Sequence, residues 1–196
     1  MDVQLIFSYV VLGILFSLTV IEILVRNSVK RLASRFFLYS SLLAAAYLIV
    51  IGFLQFRSFQ SGVLGGVLGT GKGLQWFLSY VQLHFWNEYV VSFIAAILFL
   101  LISYYLNKKF KGRYFEPEER YLAATGIFLV GYPLWLFYIV IVLVLSTLAS
   151  ALFVKKGERL PLYHFWIPTA LGLFIALNFV LLNIPVVSRF WGGFRF

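Results

Sequence analysis

Residues 108–126, KKFKGRYFEPEERYLAATG, join a basic run to an acidic cluster and then enter apolar sequence. Three of the chain's seven acidic residues lie in this stretch, namely Glu116, Glu118 and Glu119. A carboxylate is costly to place near hydrocarbon, so acids at the start of a membrane segment lie either in a solvated loop or in a functional site. The sequence on both sides of the stretch bears on whether these acids lie in a solvated loop or in a functional site.

The composition places the chain among integral membrane proteins. Hydrophobic residues make up 62% of its 196 residues and charged residues only 12%, which is outside the range of soluble domains. The formal net charge is +9, but the basic residues lie in short runs between apolar segments rather than on one soluble face. We therefore expect the lipid bilayer as a partner and no nucleic acid. Because the sequence contains no cysteine, disulfides, thiolate nucleophiles and cysteine-ligated zinc are excluded.

The apolar run that follows the acidic cluster is too long for one membrane helix. Residues 121–154 are 34 positions without a charge, which as a single helix would be ~51 Å long. We place a break at Gly131, Tyr132 and Pro133, because proline ends a helix and disfavours helical geometry in the residue before it. The sequence thus predicts an all-α integral membrane protein, one polytopic domain over residues 1–196, with about six transmembrane helices. The predicted spans are residues 3–25, 36–56, 89–107, 119–131, 134–154 and 162–184.

The basic runs predict the orientation of these spans. With the N-terminus outside, most of the basic residues fall in the three cytoplasmic segments 26–35, 108–120 and 155–159, as the positive-inside rule requires. The first of these segments is expected to be a short positive loop, and the protein to be a multi-pass component of the cell membrane. Under this topology Glu22, at the end of the first span, and Glu118, at the start of the fourth, lie at the same depth on the cytoplasmic side.

The segment between the second and third spans is ambiguous. Residues 57–73 are rich in glycine, and residues 74–88 carry Gln75, Ser79 and Gln82 at helical spacing among aromatic residues. The narrow polar stripe suits a helix that lies in the membrane interface, and a structured loop is an equal alternative.

No metal or cofactor is expected. The two histidines, His84 and His164, fall on opposite sides of the membrane under this topology and cannot share a site. The run from Gly66 to Lys72 approaches a phosphate-binding loop, but Gly73 stands where a serine or threonine would bind magnesium.

Two segments resemble a known family. Residues 118–126, EERYLAATG, resemble the D-x-K-L-L-A-A-L-G run that follows the catalytic Gly-x-Gly-Asp motif of the type IV prepilin peptidases. Residues 157–172, GERLPLYHFWIPTALG, are similar to the family's ending, in which a basic turn with Leu-Pro opens the last apolar helix. The resemblance extends over roughly residues 90–180, and more weakly over the first two spans.

This resemblance implies a six-helix intramembrane protease of the aspartyl type, related to the preflagellin peptidases. Such a hydrolase cuts short basic leaders from pilin-like precursor peptides, the type IV pilus subunits, at the cytoplasmic face. Its chemistry needs two carboxyl groups, one to activate water and one to donate a proton. By position in the family pattern, the catalytic pair here would be Glu22 and Glu118.

The chain departs from the family pattern at the signature itself. Gly-x-Gly-Asp reads Phe115, Glu116, Pro117, Glu118, so both glycines are replaced and glutamate stands for aspartate. The resemblance therefore implies a divergent peptidase that is impaired or inactive, a pseudoenzyme. The alternative is a non-catalytic membrane scaffold or assembly subunit with partners in a membrane complex. In that case its acids would only cap a helix or pair with basic neighbours such as Arg120 and Arg26.

Overall fold

The computed structural model describes residues 3–24, 26–62, 65–68, 70–111, 115–153 and 162–176. These residues form helices joined by short turns, and no strand occurs among them. The helices are α1 (Val3–Leu24), α2 (Arg26–Ser61), α3 (Gly65–Leu68), α4 (Gly71–Val81), α5 (Asn87–Lys109), α6 (Pro117–Val130), α7 (Trp135–Phe153) and α8 (Tyr163–Ile175). The predicted all-helical class is confirmed.

Three of the helical stretches are long and apolar enough to cross a membrane. They are Leu32–Ser61 in α2, Gly71–Lys109 through α4 and α5, and Trp135–Phe153 in α7. Two further helices carry shorter apolar stretches, Ile6–Glu22 in α1 and His164–Ile175 in α8. Large side chains on these helices are exposed, for example Ile49 at 70% and Leu152 at 75%. Such surfaces are typical of helices that face lipid, which is as apolar as the side chains themselves.

Helix α6 lies at the centre of the bundle. It packs against α2, α5, α7 and α8, and every residue from Leu122 to Phe128 is buried. With 14 residues it is only ~21 Å long, shorter than the ~30 Å hydrocarbon core of a bilayer. Helix α1 packs against α2 and α8. The short central helix is therefore in contact with four other helices.

The predicted break after α6 is confirmed. Helix α6 ends at Val130, Gly131 takes a φ of +82° that favours glycine, and α7 begins at Trp135. Pro133 lies in the turn, where its ring prevents the helix from continuing. The chain turns within four residues, and the backbone N–H of Trp135 donates a 3.0 Å hydrogen bond to the carbonyl of Gly131.

Two other segments differ from the prediction. Residues 26–35, expected to be a loop, are the first turns of α2, and Val25, the residue that joins them to α1, is not described. Arginine, lysine, leucine and alanine are good helix formers, and the segment has no glycine or proline to stop a helix. Residues 74–88 are neither a loop nor a separate helix, because α4 continues through a π-helical turn, Gln82–Trp86, directly into α5.

The last predicted span is described only in part. Residues 162–176 include α8, whereas residues 177–184, like the basic run 155–159, lie outside the described residues.

Candidate functional site

The turn from α5 to α6 is held by Asn107. Its Oδ1 accepts a 2.9 Å hydrogen bond from the backbone N–H of Phe115, and its Nδ2 donates to the carbonyl of the same residue. The Phe115 ring also packs edge-on against Phe99. The backbone just before the acidic cluster is thus fixed to the end of α5.

Helix α6 begins as its sequence dictates. Glu116 has the extended backbone of an N-cap residue, and Pro117 takes the first helical position, where its missing N–H costs no hydrogen bond. Glu119, three residues after the cap, accepts a 2.8 Å hydrogen bond from the Glu116 N–H in a capping-box arrangement. Glu116 and Glu119 therefore cap α6 together, whereas a purely structural role of Glu118 and Glu22 stays a prediction.

Glu119 also joins two helices. Its side chain is fully buried, and Oε1 accepts a 2.7 Å hydrogen bond from the backbone N–H of Leu162, immediately before α8. Both carboxylate oxygens are consequently used for structure, and charge-assisted bonds of this kind are among the stronger ones in proteins. Of the three clustered acids, Glu119 is the one that fastens α6 to α8.

Glu118 occupies the first turn of α6 and is half-buried. Unfilled backbone N–H groups at a helix start give this end a partial positive charge, which stabilises a carboxylate there. Its neighbour Arg120 places its guanidinium 5.7 Å from the centre of the Tyr104 ring. The Nε atom of Arg120 has no hydrogen-bond partner among the described residues. The side chain of Arg26, the other basic residue considered as a partner for the acids, lies outside the described part of the chain.

Glu22 lies on the core face of α1. This face also carries Val11, Leu15 and Leu18, all buried at the spacing of successive helical turns. Only 4% of Glu22 is exposed, and neither oxygen of its carboxyl group has a hydrogen-bond partner among the residues that the structure describes. Buried side-chain carboxyls nearly always have partners, so an orphaned one marks a strained or functional position.

A buried polar cluster that the sequence did not reveal lies within electrostatic range of Glu22. The hydroxyl of Tyr138, at the start of α7, donates a 2.9 Å hydrogen bond to the carbonyl of Trp166 in α8. Both side chains are buried, and the indole N–H of Trp166 has no partner among the described residues. Gly126 makes this arrangement possible, because a Cβ at that position would lie 2.0 Å from the Tyr138 hydroxyl.

The sequence carries no clear signal for this cluster. Tyr138 and Trp166 lie in uninterrupted apolar runs, where aromatic residues are common, and only their contact across 28 positions makes them special. Gly126 is a partial signal for a close helix contact, since a glycine inside a helix often marks the close approach of another element.

The two predicted catalytic residues are placed differently. Glu22 is buried between α1 and its neighbours, and Glu118 lies at the half-buried start of α6. Helices α1 and α6 have α2 and α8 as common packing partners. Among the described residues, which include Glu118, neither oxygen of Glu22 has a hydrogen-bond partner, so the two carboxyl groups are not hydrogen-bonded to each other. That they act as a pair stays a prediction.

Among the described residues, no three histidine or acidic side chains come together in a way that could hold a metal ion. Comparison of the chain with protein-family models, with curated proteins and with solved structures gave no match.

Proposed function

We propose that this chain is a multi-pass protein of the cell membrane, with its N-terminus outside and six crossings, that acts as a divergent peptidase of the prepilin type. The observation that carries the proposal is Glu22, a carboxyl group 4% exposed and without a hydrogen-bond partner in the described part of the chain. Burying such a group without a partner costs stability, and a purely structural position gains nothing from it.

The second carboxyl group of the proposed site is Glu118. Glu119 is already committed to two backbone N–H groups, at Glu116 and Leu162. Glu118 remains half-buried at the helix start, and it aligns with the aspartate of the family's signature. A substrate reaching the start of α6 from the cytoplasm would meet this carboxylate first.

The chemistry follows from these two environments. The partial charge of the helix start favours the ionised form of Glu118, which accepts a proton from a water molecule as that water attacks the scissile carbonyl. The broken C–N bond leaves an amine, and Glu22 supplies the proton that this leaving amine takes up. Water thus adds its oxygen to the acyl side, one proton passes to Glu118, and one passes from Glu22 to the amine.

A second candidate function is a non-catalytic scaffold or assembly subunit. It is favoured by the start of α6, where Phe115 and Pro117 stand in place of the two glycines of the family signature and Glu116 caps the helix. A capped, proline-started helix is a rigid structural feature and needs no substrate to explain it.

Cleavage of a short pilin-like precursor with a basic leader tests the choice between these functions. The wild-type protein in lipid vesicles is compared with Glu118→Gln and with Glu88→Gln, a matched change at an exposed acid in the first turn of α5. The peptidase proposal expects cleavage by the wild type and Glu88→Gln, and a loss of ~100-fold or more in Glu118→Gln. Folded wild-type protein that leaves the precursor intact would favour the scaffold.

A further inference from the structure

A groove of about 500 Å³ runs between α1 and α2. Its α1 wall includes Val10, Gly13, Ser17 and Ile21, and its α2 wall runs from Phe36 to Leu43. A Cβ added at Gly13 would meet no atom within 4 Å, so the groove is open at this position. The mechanism proposed above uses none of these residues.

The length of the groove matches one acyl chain. From Val10 to Ile21 the α1 wall measures about 16 Å at 1.5 Å per residue, roughly half of the ~30 Å hydrocarbon core, which two leaflets share. A membrane-spanning helix has a diameter of about 10–12 Å and needs about 20 residues to cross, so a groove of this length and volume does not seat one. The shape therefore favours a single lipid chain over a helix of another protein.

The charge at one end of the groove selects the lipid. In the sequence, the residues of α2 that precede the groove include the basic residues Arg26, Lys30, Arg31 and Arg35, and the structure describes the side chain of Arg35. Arg35 is exposed and directly precedes Phe36, the first α2 residue of the groove. Basic residues near a membrane surface attract anionic lipids. A zwitterionic headgroup would gain far less from this cluster.

A serine lies at the depth expected for the ester groups of such a lipid. Ser40 lines the groove and is only 4% exposed. It lies five residues beyond Arg35, about 7.5 Å deeper along the helix. In a phospholipid the ester carbonyls lie a few ångströms deeper than the phosphate, so one of them can accept a hydrogen bond from this hydroxyl.

We infer that the groove between α1 and α2 binds one anionic phospholipid, with an acyl chain between the helices and its phosphate against the basic first turns of α2. The lipid fills the open space beside Gly13 and completes the surface of the bundle in one leaflet. This inference does not depend on whether the chain cleaves a peptide.

Native mass spectrometry of the purified full chain tests the inference, with phosphatidylglycerol and phosphatidylcholine of identical acyl chains as probes. The wild type is expected to retain one phosphatidylglycerol at least several-fold better than phosphatidylcholine. Gly13→Leu, which fills the groove, should reduce this binding several-fold. Ala151→Leu, which adds the same bulk on an exposed face of α7, should leave it unchanged. Replacing Arg31 and Arg35 with glutamine should bring the ratio of retained phosphatidylglycerol to retained phosphatidylcholine close to one.

Clear outcomes overturn the inference. If the wild type retains the two lipids equally, the site does not select an anionic headgroup. If Gly13→Leu binds phosphatidylglycerol as well as the wild type does, the lipid does not bind in the groove. If Gly13→Leu instead releases a co-purified single-span protein while lipid binding persists, the groove is a protein interface. Where Gly13→Leu fails to fold by circular dichroism, Ser17→Leu provides the same obstruction from an exposed groove position.

Discussion

The backbone N–H of Leu162 donates a 2.7 Å hydrogen bond to Oε1 of Glu119, across 43 positions of the sequence. The other carboxylate oxygen accepts from Glu116, so one buried side chain both caps α6 and fastens it to the start of α8. Glu118 and Glu119 are neighbours in the sequence but have different environments, because successive side chains of a helix point in different directions.

Glu119→Gln is expected to destabilise the protein by about 1–3 kcal/mol, because the amide nitrogen cannot accept a hydrogen bond and one buried N–H loses its partner. Reversible unfolding in mixed detergent micelles measures the loss. Glu118→Gln, one position away and half-buried, is the comparison variant and should lower the free energy of unfolding by about 1 kcal/mol or less, because it removes a charge from the helix start and leaves both bonds of Glu119 in place. Equal effects of the two substitutions would contradict the distinct structural role of Glu119.

Gly126→Ala is expected to destabilise the protein by about 1–3 kcal/mol, although alanine is the better helix former. The added Cβ would lie 2.0 Å from the hydroxyl of Tyr138, which is buried and hydrogen-bonded to Trp166 and so has no room to move. Gly172→Ala, at a helical glycine with open space around it, is the control and should be neutral or slightly stabilising. The cost of Gly126→Ala should fall in a Tyr138→Leu background. A cost that is unchanged there would show that the contact with Tyr138 is not its cause.

Glu22→Met is expected to raise the free energy of unfolding by about 1 kcal/mol or more, since it replaces a buried carboxyl group that has no hydrogen-bond partner in the described part of the chain with an apolar side chain of similar length. The same variant should have no peptidase activity, as is common where a functional residue lowers stability. Thermal unfolding in the same detergent measures the first effect. Glu88→Gln, at an exposed acid, should leave both properties unchanged. A loss of stability in Glu22→Met would mean that the carboxyl group has a stabilising partner.

The orientation of the chain can be read with single cysteines, because the sequence contains none. Ser61→Cys, at the exposed end of α2, should react with a membrane-impermeant maleimide from outside the cell. Lys111→Cys, in the turn before α6, should react only after the membrane is permeabilised. Leu98→Cys, at an exposed position in the middle of α5, should not react before or after permeabilisation. The reverse pattern for Ser61 and Lys111 would place the N-terminus inside and overturn the proposed topology.

The sequence predicted the features that depend on local chemistry. Pro133 and the length of the apolar run around it located the break between α6 and α7, and the predicted start of the fourth span, residue 119, lies two residues after the first residue of α6. The prediction of a loop over residues 26–35 was wrong, because it rested on the basic charge of this segment. Helix propensity and the lack of a terminating residue extend α2 through it.

Contacts between distant residues could not be predicted in the same way. Nothing near Leu162 in the sequence points to Glu119, and nothing in α7 distinguishes Tyr138 from the other aromatic residues of that helix. These contacts arise from how the helices pack, which the apolar periodicity of a membrane helix leaves undetermined, since lipid and protein neighbours are equally apolar. The three-residue spacing of Glu116 and Glu119 is that of a capping box, which accounts for the local bond of Glu119 but not for its bond to Leu162.

The most direct test of the proposed site is a double-mutant cycle in which cleavage of the pilin-like precursor is measured for Glu22→Gln, Glu118→Gln and the two combined. Residues that act as one catalytic unit are strongly non-additive. We predict that each single variant loses at least ~100-fold in rate and that the double variant loses little more than either. Cleavage at the wild-type rate by either single variant would contradict the claim that Glu22 and Glu118 form one catalytic pair.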